Sequence, residues 1–193
     1  MSKRSSIIKQ FALYLLLACL FFTSANAAEA NNETVFFESG AEYIGEVIFG
    51  SLPHGRGTVV WPDGASYDGE FFNGMLHGKG TLTYDNEDVY TGDFSYGYRS
   101  GKGTMTFANG DTYTGEWSAD MMHGNGKYTF KAPDPARPKK NDVYSGAWCF
   151  NMMHGKGTYT YANGKSQSGY WLKNQYMGSK LTNEIKAALK EWK

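Results

Sequence analysis

The dominant feature of the chain is a short motif that recurs at nearly constant spacing. Five segments begin with Tyr-x-Gly, and their leading tyrosines are 24, 23, 23 and 31 residues apart. These are Tyr43, Tyr67, Tyr90, Tyr113 and Tyr144. A fixed period of this length is typical of repeat architectures, in which each unit packs on its neighbours. The sequence therefore predicts a tandem array rather than one central core.

Each repeat contains two stretches with the alternation of a β-strand. In the first, Tyr113, Gly115 and Trp117 share one face. A His-Gly-x-Gly segment precedes the second, Gly126–Phe130, whose glycine and aromatic residues again share a face while threonines of equivalent strands fall on the other. Two such runs joined by a Gly-rich turn predict a β-hairpin, with large rings lying over bare glycine backbone.

The array is predicted to run from about residue 33 to 178, with half repeats at both ends. The last spacing is longer because an insertion, 131–142, lengthens one turn. A lone hairpin is barely stable, so the hairpins must stack. We expect an all-β fold, an elongated and twisted antiparallel sheet. The 24 glycines and 16% aromatic residues suit tight turns and buried strands rather than disorder.

The C-terminal segment 179–193 predicts a short amphipathic α-helix. Thr182 is a candidate N-cap, and one helical face carries Leu181, Ile185, Ala188, Leu189 and Trp192. We expect this helix to fold over the last strand or the groove end. Contact with a membrane is the alternative.

Residues 1–27 resemble a secretory signal peptide. A basic start is followed by the apolar run Phe11–Phe22 and the small-x-small site Ala25-Asn26-Ala27. This favours a periplasmic or secreted protein. Two alternatives stay open: lipidation at Cys19, within a bacterial lipoprotein-like box, and retention of the segment as an anchor.

The charge after residue 27 argues against nucleic acid. All 19 acidic residues follow Ala28 and three of the 19 basic residues precede it, so the remainder carries −3 (16 − 19). It keeps one cysteine, Cys149, and therefore no internal disulfide. A redox or partner-linking thiol is the alternative to a spectator in the core.

The repeat closely resembles the membrane occupation and recognition nexus (MORN) repeat, and the resemblance covers about three quarters of the chain. The segments that carry it are, in order, Tyr-x-Gly-Glu-Trp/Phe, His-Gly-x-Gly-Thr-x-x-Tyr/Trp and Asp/Asn-Gly. The resemblance, taken with the export signal, implies an exported bacterial-type member. It implies a long twisted sheet with an aromatic groove, acting in protein interaction, dimerisation and membrane apposition. Some relatives carry an appended enzyme domain, and we expect none in these 193 residues.

The reactive-looking residues of the repeats are not expected to converge. Four of the five repeats carry one histidine each, the third having Ser100 instead, and equivalent side chains lie roughly 10 Å apart or more, too far for one zinc ion. The same spacing separates the acidic residues that general acid–base chemistry would need together. We therefore predict no metal, no cofactor and no catalytic site. These sets are His54, His77, His123 and His154, and Glu46, Glu70, Asp93 and Glu116.

Two features are candidate binding surfaces. One is an aromatic stripe that either forms core or lines an open groove. Its members are Tyr43, Trp61, Tyr67, Tyr84, Tyr90, Phe107, Tyr113, Trp117, Tyr144, Trp148 and Tyr161. The other is the Pro-rich basic insertion, with Lys131, Arg137, Lys139 and Lys140 as a docking loop for an acidic partner. The sequence thus predicts a non-catalytic envelope scaffold that binds a protein partner, with glycan or lipid binding as the alternative and homodimerisation open.

Overall fold

A computed structural model describes residues 31–131 and 141–191. Among them, thirteen strands form an antiparallel sheet in which each strand pairs with its neighbours in the sequence. The strands are β1 (Asn31–Phe36), β2 (Glu42–Ile48), β3 (Leu52–Val60), β4 (Ser66–Phe72), β5 (Met75–Thr83), β6 (Val89–Ser95), β7 (Tyr98–Thr106), β8 (Thr112–Ser118), β9 (Met121–Phe130), β10 (Asp142–Cys149), β11 (Met152–Thr160), β12 (Ser166–Leu172) and β13 (Gln175–Gly178). The predicted antiparallel sheet of stacked hairpins is confirmed.

The strands belong to two compact units. Unit 1 ends its first segment at Asp85 and includes Thr91–Tyr98, whereas unit 2 contains Asn86–Tyr90 and the residues from Arg99 onward. The N-terminal half repeat supplies β1, which pairs with β2. At the other end, the predicted first strand of a half repeat, β12, is followed by a short second strand, β13.

Two-residue turns join the strands within most repeats. At Asn73-Gly74 and Phe150-Asn151 both central residues have positive φ, the type I′ geometry that matches the twist of a hairpin. The first repeat is one residue longer, and the extra residue lies in its three-residue loop between Ile48 and Leu52. The turn absorbs the insertion, so the register of the strands is kept.

The His-Gly-x-Gly segments lie inside the second strands, where they form bulges. This corrects the expectation that they belong to the turns. In β5, Gly80 pairs with Gly69 and His77 pairs with Glu70, which leaves Gly78 and Lys79 as the bulge. The Glu70 carboxylate accepts the Lys79 backbone N–H at 3.0 Å and packs where a Cβ on Gly78 would stand. Gly78 also has a φ of +56°, which favours glycine.

The leading tyrosines form the core and cover the paired glycines. The ring of Tyr67 occupies the space that side chains on Gly69 and Gly80 would need, and its hydroxyl donates to the backbone carbonyl of Glu70 at 2.9 Å. Tyr113 lies over Gly126 in the same way. All five leading tyrosines are 0% exposed. The predicted packing of rings over glycine is confirmed.

A second row of aromatic residues locks each tyrosine to the next repeat. Phe71, Trp117 and Trp148 each meet two leading tyrosines edge to face, with ring centroids 5.1 to 5.3 Å apart. Such pairs add roughly 0.5–1.5 kcal/mol each beyond area burial. On the other face, threonine pairs such as Thr104 and Thr114 are exposed and hydrogen bonded. The predicted division between an aromatic and a polar face is therefore confirmed.

Arg99 interrupts the apolar row of the second strands. Arg99 occupies the position that Leu76 has one repeat earlier. The Leu76 carbonyl accepts the N–H of Gly97, and the Arg99 carbonyl accepts the N–H of Asp120, so both residues pair with the turn of the following repeat in the same way. The guanidinium lies over the ring of Trp117 at 4.5 Å, and its Nε–H donates to Asp120 at 3.2 Å. The carboxylate in the turn thus compensates a cation placed in an apolar row.

The predicted C-terminal helix is also confirmed, as α1 (Asn183–Lys190). The Thr182 hydroxyl accepts the Ile185 N–H at 3.3 Å, which confirms the predicted cap. Ile185 is the buried residue of α1, whose contacts are with β12. Within the described ranges, no helix has both the length and the hydropathy needed to cross a bilayer.

The Arg99–Asp120 pair predicts strong coupling. Asp120→Gly should lower the free energy of unfolding by about 1–2 kcal/mol, because it removes the partner of a largely buried guanidinium whose counterion is partly exposed. Arg99→Leu with Asp120→Gly recreates the pair formed by Leu76 of the second repeat and Gly97 of the third, and should restore stability to within about 0.5 kcal/mol. Urea unfolding of the parent, Asp120→Gly, Arg99→Leu and the double variant measures this. Additive losses in the double variant would contradict the pairing.

The core tyrosines predict alkaline unfolding. Burial, assisted by Glu46, raises the pKa of Tyr43 to about 12, and burial raises the pKa values of Tyr67, Tyr113 and Tyr144 further. Because the folded state favours the neutral phenol, this stabilisation is complete below about pH 10 and is lost as the pH rises through the folded pKa. Tyrosinate absorbance and circular dichroism should change together near pH 12. Full tyrosine titration near pH 10 in a folded protein would refute this.

Candidate functional site

Most of the predicted aromatic stripe is packed core. Eight of its members expose 8% of their surface or less: Tyr43, Trp61, Tyr67, Tyr90, Tyr113, Trp117, Tyr144 and Trp148. The neighbouring repeats cover them, so a ligand could not touch them without opening the sheet. Tyr84 and Phe107 are half-buried, and Tyr161 is 39% exposed. The prediction of a binding groove therefore now concerns only Tyr84, Phe107 and Tyr161.

Unit 2 adds to Phe107 and Tyr161 three aromatic residues that the sequence prediction left out. Tyr128, Phe130 and Tyr159 connect them into what we call the aromatic band: Phe107, Tyr128, Phe130, Tyr159 and Tyr161. Successive ring centroids lie 5.8, 4.4, 5.9 and 4.9 Å apart. Tyr159 is buried, and the other four keep accessible surface. The sequence contains a signal for two of them. The strand position that Met105 occupies in the third repeat is occupied by Tyr128 and Tyr159 in the next two repeats.

Two buried carboxylates hold the band in place. The Tyr128 hydroxyl donates to Asp111 at 3.0 Å, and the Tyr159 hydroxyl donates to Asp142 at 2.8 Å. The same carboxylates accept backbone N–H groups of the next turn, from Lys131 at 2.6 Å and from Ala162 at 2.7 Å. Each oxygen of these two carboxylates thus accepts a hydrogen bond, which makes Asp111 and Asp142 structural positioning groups.

The predicted docking loop begins beside the band. Lys131 follows Phe130 directly and is exposed, and the chain re-enters the described part just before Asp142. Arg137, Lys139 and Lys140 lie outside the described residues. Lys131 therefore places the start of a basic, Pro-rich segment at the edge of an aromatic surface.

The histidines are strand residues that contact the next repeat. The Nδ1 atoms of His54 and His77 accept the backbone N–H groups of Asn73 and Tyr96, each at 3.5 Å. His123 lies against the ring of Phe150, with centroids 5.8 Å apart. His154 is 8% exposed, and burial lowers its pKa, with Lys173 adding to the effect. The backbone groups that His54 and His77 contact belong to the turn of the following repeat.

The acidic residues support the backbone or pair with a base. Glu46, Glu70 and Glu116 each accept the backbone N–H of the bulge in their own repeat, at 2.9 to 3.0 Å. Asp93 instead pairs with Lys79. In residues 31–131 and 141–191, no three His, Cys, Asp or Glu side chains come together as a metal site.

The thiol of Cys149 is not accessible to solvent. It is 7% exposed, and burial raises the pKa of its thiol. A raised pKa lowers the thiolate fraction at neutral pH, so reactivity is suppressed. These properties favour a packing role for Cys149.

Comparison with family models matches the MORN repeat in five segments. They are residues 43–66, 67–89, 90–112, 113–131 and 144–166. No curated protein matches the chain. Among solved structures, one similar chain is the SAS-4 (dCPAP) TCP domain of Drosophila melanogaster in complex with a proline-rich motif of Ana2 (dSTIL), at 13% identity over 78% of this chain and 84% of that chain, with a TM-score of 0.38. The five family matches span more than half of the sequence, and the chain belongs to the MORN repeat family.

Proposed function

We propose that this chain is a non-catalytic module that binds a protein partner through the aromatic band of unit 2. Four accessible rings form an apolar surface with hydroxyl groups: Phe107, Tyr128 and Phe130 contact one another in sequence, and the buried Tyr159 joins Phe130 to Tyr161. Aromatic residues of this kind dominate the energetics of protein interfaces because they bury much area with few rotatable bonds. Membership of a repeat-binding family supports the same class of function.

The geometry of the band favours a preorganised surface. Asp111 and Asp142 fix the hydroxyl groups of Tyr128 and Tyr159, so these rings lose little freedom when a partner binds. Lys131 at its edge gives the site a positive margin. The partner that suits it is a protein segment with apolar side chains and acidic residues at the rim.

The proposed setting is the cell envelope, because residues 1–27 have the pattern of an export signal. The partner is accordingly sought among envelope proteins. Glycan or lipid binding by the same rings is the alternative, since flat aromatic faces also suit sugars and acyl chains.

The band predicts a separable loss of binding. Phe107→Ser with Tyr161→Ser should reduce recovery of a cross-linked envelope partner at least tenfold, because about 1.4 kcal/mol of lost contact is already a factor of ten. Both residues retain accessible surface, so the melting temperature should stay close to that of the parent. Cross-linking mass spectrometry on the full chain in its native host measures the recovery.

Phe36→Ser is the matched control, since Phe36 is an aromatic residue of unit 1 that is 75% exposed. It should leave recovery unchanged. Undiminished recovery with the folded double variant would refute the band as the protein site. Binding of the parent to a glycan array or to phosphatidylglycerol vesicles, lost in the double variant, would support the alternative.

A further inference from the structure

A separate row of rings lies on the polar face of unit 1. Within β4, Phe71 points into the core and Phe72 points away from it, and β5 places His77 on the side opposite Leu76. His54, Phe72, His77 and Tyr96 follow one another, with ring centroids 5.3, 5.5 and 5.3 Å apart. We call these four residues the histidine–aromatic row. Phe72 and Tyr96 are 39% and 56% exposed.

The backbone fixes which ring nitrogen accepts a hydrogen bond in the histidines of this row. Because the Nδ1 atoms of His54 and His77 accept N–H groups of the next turn, the neutral rings carry their proton on Nε2. The row therefore presents hydrogen-bond donors between apolar rings. A ligand that fits it combines aliphatic side chains with an oxygen acceptor.

The last histidine of the series shows which kind of segment lies near this position. His154 is the only one of the four histidines that is buried in the described chain, and it lies in β11 beside β12, the strand that α1 contacts. Ile185 is the buried residue of α1. An amphipathic helix with a buried aliphatic residue thus lies beside the one histidine that is buried, whereas the same position stays open at His54 and His77.

We propose that the histidine–aromatic row binds an amphipathic helix of a protein partner, by analogy with α1 beside His154. Two histidines one hairpin apart lie roughly 10 Å from each other, which about seven residues of helix would span at ~1.5 Å per residue. The partner helix carries aliphatic residues at i and i+4, and a carbonyl or carboxylate that accepts Nε2–H. This site is independent of the aromatic band and is a second interface.

A peptide with the sequence of residues 181–193, labelled with fluorescein, is a suitable probe because it contains α1. Fluorescence anisotropy with the full-length protein should show saturable binding. Phe72→Ser with Tyr96→Ser should weaken that binding at least tenfold, whereas Phe36→Ser and the band variant Phe107→Ser with Tyr161→Ser should not. A peptide that carries the changes Ile185→Ser and Leu189→Ser should fail to bind.

Several results would overturn the proposal. One is the absence of saturable peptide binding, and another is binding that the folded Phe72→Ser, Tyr96→Ser variant retains, which would place the peptide at the His154 end. A further case is that peptide binding persists in that variant while another property is lost. Loss of self-association would then assign the row to a second copy of the chain, and loss of binding to 3:1 phosphatidylcholine–phosphatidylglycerol vesicles would assign it to lipid. Thermal melts of each variant ensure that the comparison is made between folded proteins.

Discussion

The packing of a tyrosine ring over two paired glycines is the interaction on which the other features depend. Tyr67 fills the space above Gly69 and Gly80, and its hydroxyl satisfies backbone carbonyls at the bulge. The ring can be fully buried in a sheet because bare backbone replaces the side chains that would hold it away. Each ring then forms the surface on which the next repeat's Phe or Trp packs.

This packing leaves the polar residues of the repeats little freedom for chemistry. Glu70 and Glu116 stabilise the bulges, Asp111 and Asp142 anchor tyrosine hydroxyls, and Asp120 balances Arg99. Each contact joins neighbouring strands, so the groups are spread along the array. Two surfaces of the array stay accessible to a partner after this packing. They are the aromatic band and the histidine–aromatic row.

Much of the fold was predictable from periodicity, because the alternation of Tyr113, Gly115 and Trp117 specifies both the strand and its inner face. The bulge was not, because a Gly-rich segment suits a turn and a bulge equally, and only the Glu70–Lys79 bond distinguishes them. The candidate site was predicted less well. Sequence could place Tyr43 and Tyr161 in one stripe, but the coverage by neighbouring repeats that buries the first and exposes the second depends on tertiary packing.

The most direct test of this account adds one methyl group beneath a core ring. Gly80→Ala should lower the free energy of unfolding by about 3 kcal/mol, because the new Cβ overlaps the Tyr67 ring and neither can move within the sheet. Gly64→Ala, in an open turn with a φ of +89°, is the matched control and should cost only the roughly 1–2 kcal/mol of a left-handed alanine. Equilibrium urea unfolding measures both. If Gly80→Ala costs no more than Gly64→Ala, the packing of tyrosine over glycine does not hold the repeats together.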